Sequence, residues 1–234
     1  MTAILLIWHV AAAVMDSPLI LPSPKSVFFC MGELFKSLDF WTNIASTFIR
    51  VVASFSISLL VGSALGILCG RFQFAKDFFA LPISILRSTP VVALILLLIF
   101  AFNSSKVPVL VSILMSLPVM VSSMSEGFTL SEDDRKIFQM AKVFGFTKAQ
   151  KIRRIWIPKL KAFFKGAVVS VFGMTWKVVV AGEVLSLPKK SIGSQLATAQ
   201  VHLESQEVMA LSIVIITFSF LMESGLRHFL EEDK

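Results

Sequence analysis

Long apolar runs alternate with short polar breaks along most of this chain, and only one polar stretch is long enough to fold outside a bilayer. A spanning helix takes about 20 mostly apolar residues. Six runs read as spans on that pattern: Thr2 to Leu21, Ser46 to Gly70, Ser88 to Phe102, Val107 to Met124, Phe163 to Gly182 and Glu207 to Leu226. The first has no Lys or Arg ahead of its apolar run, unlike a secretory signal peptide. Pro18, Pro22 and Pro24 break it. The mixed segment Lys25 to Thr42 that follows, with Phe28, Phe29, Phe35, Phe40 and Trp41 among charges, predicts a helix lying on the outer face. The pattern as a whole predicts an all-α integral membrane protein of about six transmembrane helices, one domain over residues 1–234.

Local signals refine the spans. Ser58, Gly62, Gly66 and Gly70 fall four residues apart, a stripe of small residues along which another helix backbone can approach closely. The Ser/Thr-Pro sequence at Ser88, Thr89 and Pro90 reads as a helix start. Pro118, mid-way along the fourth span, is expected to kink it. Ser186 to Gln206 reads as a polar outer loop with a short helix over Gln195 to His202.

The polar exception is Ser131 to Pro158. Ser131 is a helix N-cap, and Glu132, Asp133 and Asp134 place negative charge at the positive end of the helix. Ile137, Met140, Ala141 and Phe144 then fall at i, i+3, i+4 and i+7, one apolar stripe on a charged rod. Gly145 is the left-handed residue expected to end it. Thr147 with Gln150 forms a second capping box, opening a short helix that carries Ile152, Ile155 and Trp156 and is expected to stop at Pro158. Two short amphipathic helices joined at a glycine make a stiff platform whose apolar face needs a cover.

The chain is 56% hydrophobic and 16% charged, with mean hydropathy +0.81, a composition that belongs in a bilayer. The net charge of +7 does not point to nucleic acid. Ten Lys and Arg lie between Arg135 and Lys165, so the excess marks that loop as cytoplasmic, with both termini inside, while the aromatic residues sit in the spans. Cys30 and Cys69 are expected near opposite membrane faces and unable to pair.

Gln139-Met140-Ala141, Gly145 and Ile155-Trp156-Ile157-Pro158 resemble, in spacing throughout, the Glu-Ala-Ala…Gly…Ile-x-Leu-Pro signature of bacterial ABC-importer permeases. Gln139 replaces the Glu, Met140 the first Ala, and Ile157 the Leu. Trp176-Lys177-Val178-Val179-Val180-Ala181-Gly182-Glu183 and Ser191-Ile192-Gly193-Ser194-Gln195-Leu196 are similar to stretches of the nitrate, sulfonate and taurine branch. The resemblance covers roughly residues 46–226. It implies a type I importer fold, with 131–158 as the cytoplasmic coupling segment. Gln139, Met140, Ala141, Phe144, Gly145, Ile155, Trp156 and Pro158 would dock on an ATPase subunit. It further implies a second copy or a close relative completing the conduit, an extracytoplasmic solute-binding protein, and an inner-membrane location. ATP and Mg²⁺ would sit on the partner ATPase, with no cofactor on this chain. The solute class it suggests is a small anion such as a sulfonate, taurine or nitrate, or a vitamin precursor.

Trp176, Lys177, Glu183 and Pro118 are the candidates for the translocation pathway. Lys177 has two readings: facing the conduit to attract an anion, or snorkelling to the outer interface. The chain has no P-loop, no His-Glu-x-x-His and no clustered Cys and His, and His9, His202 and His228 lie far apart in sequence. It is therefore not expected to be an enzyme or to hold a metal. The competing reading is a stand-alone secondary transporter or channel, for which Lys177 alone supplies an intramembrane charge. A membrane-embedded enzyme or assembly factor has no nucleophile–base pair behind it.

Overall fold

A computed structural model describes residues 2–15, 17 and 19–231. Asp16 and the expected break at Pro18 lie outside the described residues, as does the end of the tail. Among those described there are only helices: α1 (Thr2–Met15), α2 (Pro24–Lys36), α3 (Leu38–Arg71), α4 (Gln73–Ser88), α5 (Val91–Ala101), α6 (Val107–Glu126), α7 (Glu132–Val143), α8 (Lys148–Lys151), α9 (Ile157–Ser186), α10 (Ile192–Val201) and α11 (Ser205–Glu231). A π-helical turn, Ile152–Trp156, joins α8 to α9, so that Lys148–Ser186 is one unbroken span.

Four helices are long and apolar enough to cross a membrane: Leu38–Arg71, Val107–Glu126, Lys148–Ser186 and Ser205–Leu230. A fifth crossing arises if α4 and α5, bent by 101° at their junction, count as one broken span. The first expected span, Thr2 to Leu21, does not reach that length: α1 runs over Thr2–Met15, 14 residues. The third departs from expectation as well. Ser88 and Thr89 do not cap α5; their hydroxyls donate back to the Ile85 carbonyl, at 3.1 and 2.6 Å, and so finish α4. Pro90 forces the residue before it out of the helical region, and Thr89 is accordingly extended (ψ 127°). The apolar run is thereby split into an amphipathic helix and an 11-residue stub.

The core is a packing of α3, α6 and α9. On α3, Ser58, Gly62, Gly66 and Gly70 pack against α6 and the residues just after it, in constant register. Ser58 and Ser116 share a hydrogen bond of 2.7 Å. A β-carbon at Gly62 would stand 2.7 Å from that of Met120, and one at Gly66 2.5 Å from that of Met124. At Gly70 it would meet the Phe128 ring at 2.4 Å. Each step of four on α3 is matched by a step of four on α6, so the two helices run parallel and nearly touch backbone to backbone. α9 lies antiparallel to both: Gly182 meets Pro108, Ser112 donates to the Thr175 carbonyl at 3.4 Å, and Phe55 meets Phe172 edge-on. Pro118 sits buried inside α6, and helix continues on both sides of it.

Pro158 does not end a helix. The π turn ahead of it carries an i→i+5 bond from the Ile157 amide to the Ile152 carbonyl, and Pro158 occupies the first turn of α9. A proline lacks the amide that the first turn of a helix leaves unpaired in any case, so it fits there.

Candidate functional site

The polar platform is built from its caps outward. The Ser131 hydroxyl accepts from the Asp134 amide (3.2 Å), and Asp134 Oδ2 accepts from the Ser131 amide (2.9 Å), closing the first capping box. Thr147 and Gln150 close the second. Lys159 Nζ, at the head of α9, donates to the same Asp134 oxygen at 2.5 Å and to the Thr129 carbonyl at 2.7 Å. The charge pair braces the start of α7 against the long span. Lys159 first, then the Ser131 amide and hydroxyl, hold the Asp134 carboxyl down to about 2, from an ordinary 3.8. A depressed carboxyl pKa contributes stability above its ordinary value and loses it as pH falls through the folded one. The brace is therefore expected to hold at neutral pH and to release between about pH 4 and 2. Proteolysis across 131–147 should accelerate in that window and not in Asp134→Asn, which has already lost the charge.

The far end of α7 closes in a Schellman arrangement. The Phe146 amide donates to the Ala141 carbonyl (2.9 Å) and the Gly145 amide to that of Lys142 (3.1 Å), with Gly145 at φ +68°. Proline at 145 has φ locked near −65° and no amide. Gly145→Pro is expected to undo this corner, raising hydrogen exchange over 132–151 while the melting of the spans stays put.

The apolar stripe of α7 divides into two flanks. On one, Phe138 lies with its ring 5.3 Å from that of Trp156, which is itself 5.3 Å from Phe128. Ala141, expected to face a partner, shares this inward flank and is 4% exposed. On the other flank Met140 is 59% and Phe144 72% exposed, with Ile137, Val143 and the polar Gln139 also open. Trp156 and Ile155 are half-buried, Trp156 backing the platform through Phe128 and Phe138, while Pro158 is exposed. The reason is angular. At 100° per residue, Asp134, Phe138 and Ala141 cluster on one side and Ile137, Met140, Val143 and Phe144 on the other.

At the opposite end of α9 from the platform, α3, α9 and α10 meet on one carboxylate. Glu183 is fully buried and takes a 2.7 Å ion pair from Arg50 Nη1. Thr47 Oγ1 donates to Glu183 at 2.9–3.0 Å and accepts from the Ile192 amide at 3.1 Å. The Gly193 amide donates to Glu183 Oε2 at 3.2 Å. Arg50 also reaches the carbonyls of Lys190 (3.3 Å) and Lys189 (3.4 Å). Beside this junction lies an open polar basin of about 380 Å³ whose walls include Asn43, Lys190, Ser194, Gln195 and Glu207.

Of the four residues expected along the translocation pathway, Trp176, Glu183 and Pro118 are enclosed by their own subunit. Lys177 alone presents an exposed side chain, on the same face of α9 as exposed Ser170 seven residues earlier. Trp176 packs with Phe172, Val179 and Leu211, and Glu183 is taken up by the ion pair. Arg50, the partner of Glu183, is the charge that the sequence pattern did not single out. Its signal was available: it is the one charge inside the apolar run Ser46 to Gly70, and a charge within a span ordinarily has a partner. Both cysteines are free, and no cluster of three His, Cys, Asp or Glu able to hold a metal occurs among the described residues.

Comparison with known proteins bears on the whole assembly. Residues 62–229 match the family described as binding-protein-dependent transport system inner membrane component. The taurine transport system permease protein TauC of Escherichia coli is 25% identical over 228 residues, covering 94% of this chain and 81% of that protein. The formylaminopyrimidine transport permease protein ThiX of Halalkalibacterium halodurans is 30% identical over 176 residues, 72% of this chain and 67% of that one. The nitrate import permease protein NrtB of Synechocystis is 26% identical over 196 residues, 78% and 68% respectively. With its several apolar helices packed around α3, α6 and α9, the chain belongs to the binding-protein-dependent transport inner-membrane family and is a multi-pass inner-membrane permease subunit of an ABC importer.

Proposed function

We propose that two such subunits, or this one with a close relative, enclose a conduit for a small anion, and that separate ATPase subunits drive it by gripping the platform at α7. The observation that carries the reading is the free apolar flank Ile137, Met140, Val143 and Phe144 on a helix braced to a membrane span. An apolar flank held open by rigid supports suits a groove on a soluble partner. ATP and Mg²⁺ would bind that partner, and chemistry would stay there. When the ATPase pair closes, the platforms move together and tilt the spans, turning the conduit from inward-facing to outward-facing. An extracytoplasmic binding protein would deliver solute at the outer basin. Lys177 and Ser170, on the free face of α9, would line the conduit, the ammonium favouring an anion.

Relatives named for taurine, nitrate and formylaminopyrimidine transport support a small sulfonate, an inorganic anion or a vitamin precursor as cargo. The test is uptake into vesicles holding this chain with its ATPase subunits and binding protein, offering taurine, an alkanesulfonate and nitrate in turn. Uptake of one of them that requires internal ATP is expected, and Lys177→Gln should lower it about tenfold at subsaturating solute. Uptake by this chain alone, driven by an ion gradient, would replace the reading with a secondary transporter.

A further inference from the structure

We propose that Arg50 and Glu183 form a latch that makes the outer segment 187–201 move as one body with the span Lys148–Ser186, so that displacement of the cytoplasmic platform is delivered to the outer basin. What the motion serves rests on the docking role proposed above; the latch itself does not.

One helix joins the platform to this junction. Lys148–Ser186 has 39 residues, or about 58 Å at 1.5 Å per residue. Its inner end is the bearing of the platform, with Trp156 against Phe128 and Phe138 and Lys159 on Asp134. Glu183 is in its last turn at the other end. There the carboxylate takes up the Gly193 amide of α10, and Arg50 spans from the carboxylate to two carbonyls of the connecting loop. Gly193 has no β-carbon, and one placed there would stand 2.5 Å from Glu183 Cβ, so α10 is pressed against the long helix at this point.

The loop is also held in an unfavourable shape. Leu187 and Lys190 have φ of 50° and 54°, in the left-handed region that non-glycine residues seldom occupy. Such a conformation persists where surrounding bonds over-determine it; here the Arg50 contacts to the Lys189 and Lys190 carbonyls join the bond from the Leu187 amide to the Glu183 carbonyl and that from the Ser194 hydroxyl to the Pro188 carbonyl. Folding stability does not demand an ion pair here, since a buried pair replaced by apolar groups of similar size often leaves stability unchanged. A positional role does demand it: the guanidinium reaches a carboxylate and two carbonyls at once, which a lysine ammonium on its flexible stem cannot reproduce. Among the described side-chain hydrogen bonds outside this junction, α10 is tied to the bundle by Asn43–Gln195 and Gln195–Glu207, while Ile192 and Leu196 pack into the apolar core.

The deciding experiment is hydrogen exchange on the full chain in lipid nanodiscs, without nucleotide, comparing wild type with R50M/E183L and R50K. The double variant leaves no buried ion unpaired, but the Thr47 hydroxyl and the Gly193 amide lose their acceptor, so its melting should fall modestly and exchange is compared well below that transition. Its exchange over 192–201 should rise at least tenfold, with α6 and α11 unchanged. R50K keeps the charge pair and should loosen residues 187–190 alone. Unchanged protection of 192–201 in the double variant overturns the latch, as does an equal rise in α6 and α11, which would mean general packing. A second arm assembles the chain with its ATPase subunits and traps them with ATP and vanadate. Wild type should then change at both 148–160 and 187–201, and the double variant at 148–160 only. If wild type changes at neither, the docking reading fails, while the nucleotide-free comparison still decides the latch.

Discussion

Phe144→Asp is expected to cut ATP-driven uptake at least 30-fold while leaving the abundance and melting of the subunit unchanged. Phe144 is 72% exposed, and its free flank neighbours Met140 and Val143 are open as well. Losing an aromatic anchor at the centre of an interface costs about 2 kcal/mol or more, which is about 30-fold in affinity, and a carboxylate desolvated in an apolar groove adds to it. The measurement is uptake and ATP hydrolysis side by side in the assembled complex. Uptake should fall with the ATPase subunits no longer co-purifying. Trp156→Ala supplies the contrast. Because Trp156 bears on Phe128 and Phe138 from behind, its loss should loosen the platform and lower the melting of the chain itself. Equal behaviour of the two variants would mean that α7 has no dedicated docking flank.

The largest effect on stability is expected at Gly66. A β-carbon there would sit 2.5 Å from Met124 Cβ and 2.9 Å from the Val121 carbonyl oxygen, so the backbone of α6 has to move for any side chain at all. Overpacking a tight contact costs about 1–3 kcal/mol for modest additions, and Gly66→Leu adds four carbons at the closest approach of two helices. The expected result is a chain that fails to accumulate in the membrane, with Gly66→Ala recovered but melting markedly lower. Gly32→Leu, on α2, is the control, since nothing lies within 4 Å of a β-carbon there. A Gly66→Leu chain that melts like wild type would mean that α3 and α6 do not touch in the membrane.

Much of this architecture was legible beforehand because local rules dominate it. The two capping boxes, the left-handed Gly145 and the small-residue stripe at Ser58 to Gly70 each depend on side chains within a turn or two of one another, so the sequence states them directly. The misreadings share a cause. Pro158 was expected to stop a helix, yet a π turn ending two residues earlier lets the helix run on. Pro90 was expected to sit just inside one, yet Ser88 and Thr89 spend their hydroxyls on the turn before. In both cases the same residue pattern permits two backbone solutions, and the neighbouring helices select one.

By itself, then, the sequence determined that this is a helical membrane protein carrying a polar two-helix platform, and where the caps of that platform fall, because burial in lipid leaves the spans no alternative to internal hydrogen bonding and each of those caps is made within one turn. Only the tertiary structure decided which flank of α7 stays free, that Trp176 and Glu183 turn into the core, and that Arg50 reaches across 133 residues of sequence to Glu183. Those outcomes depend on which surfaces meet in three dimensions. An ionised side chain inside a bilayer is tolerable only beside its partner, and where that partner stands is a property of the packed bundle.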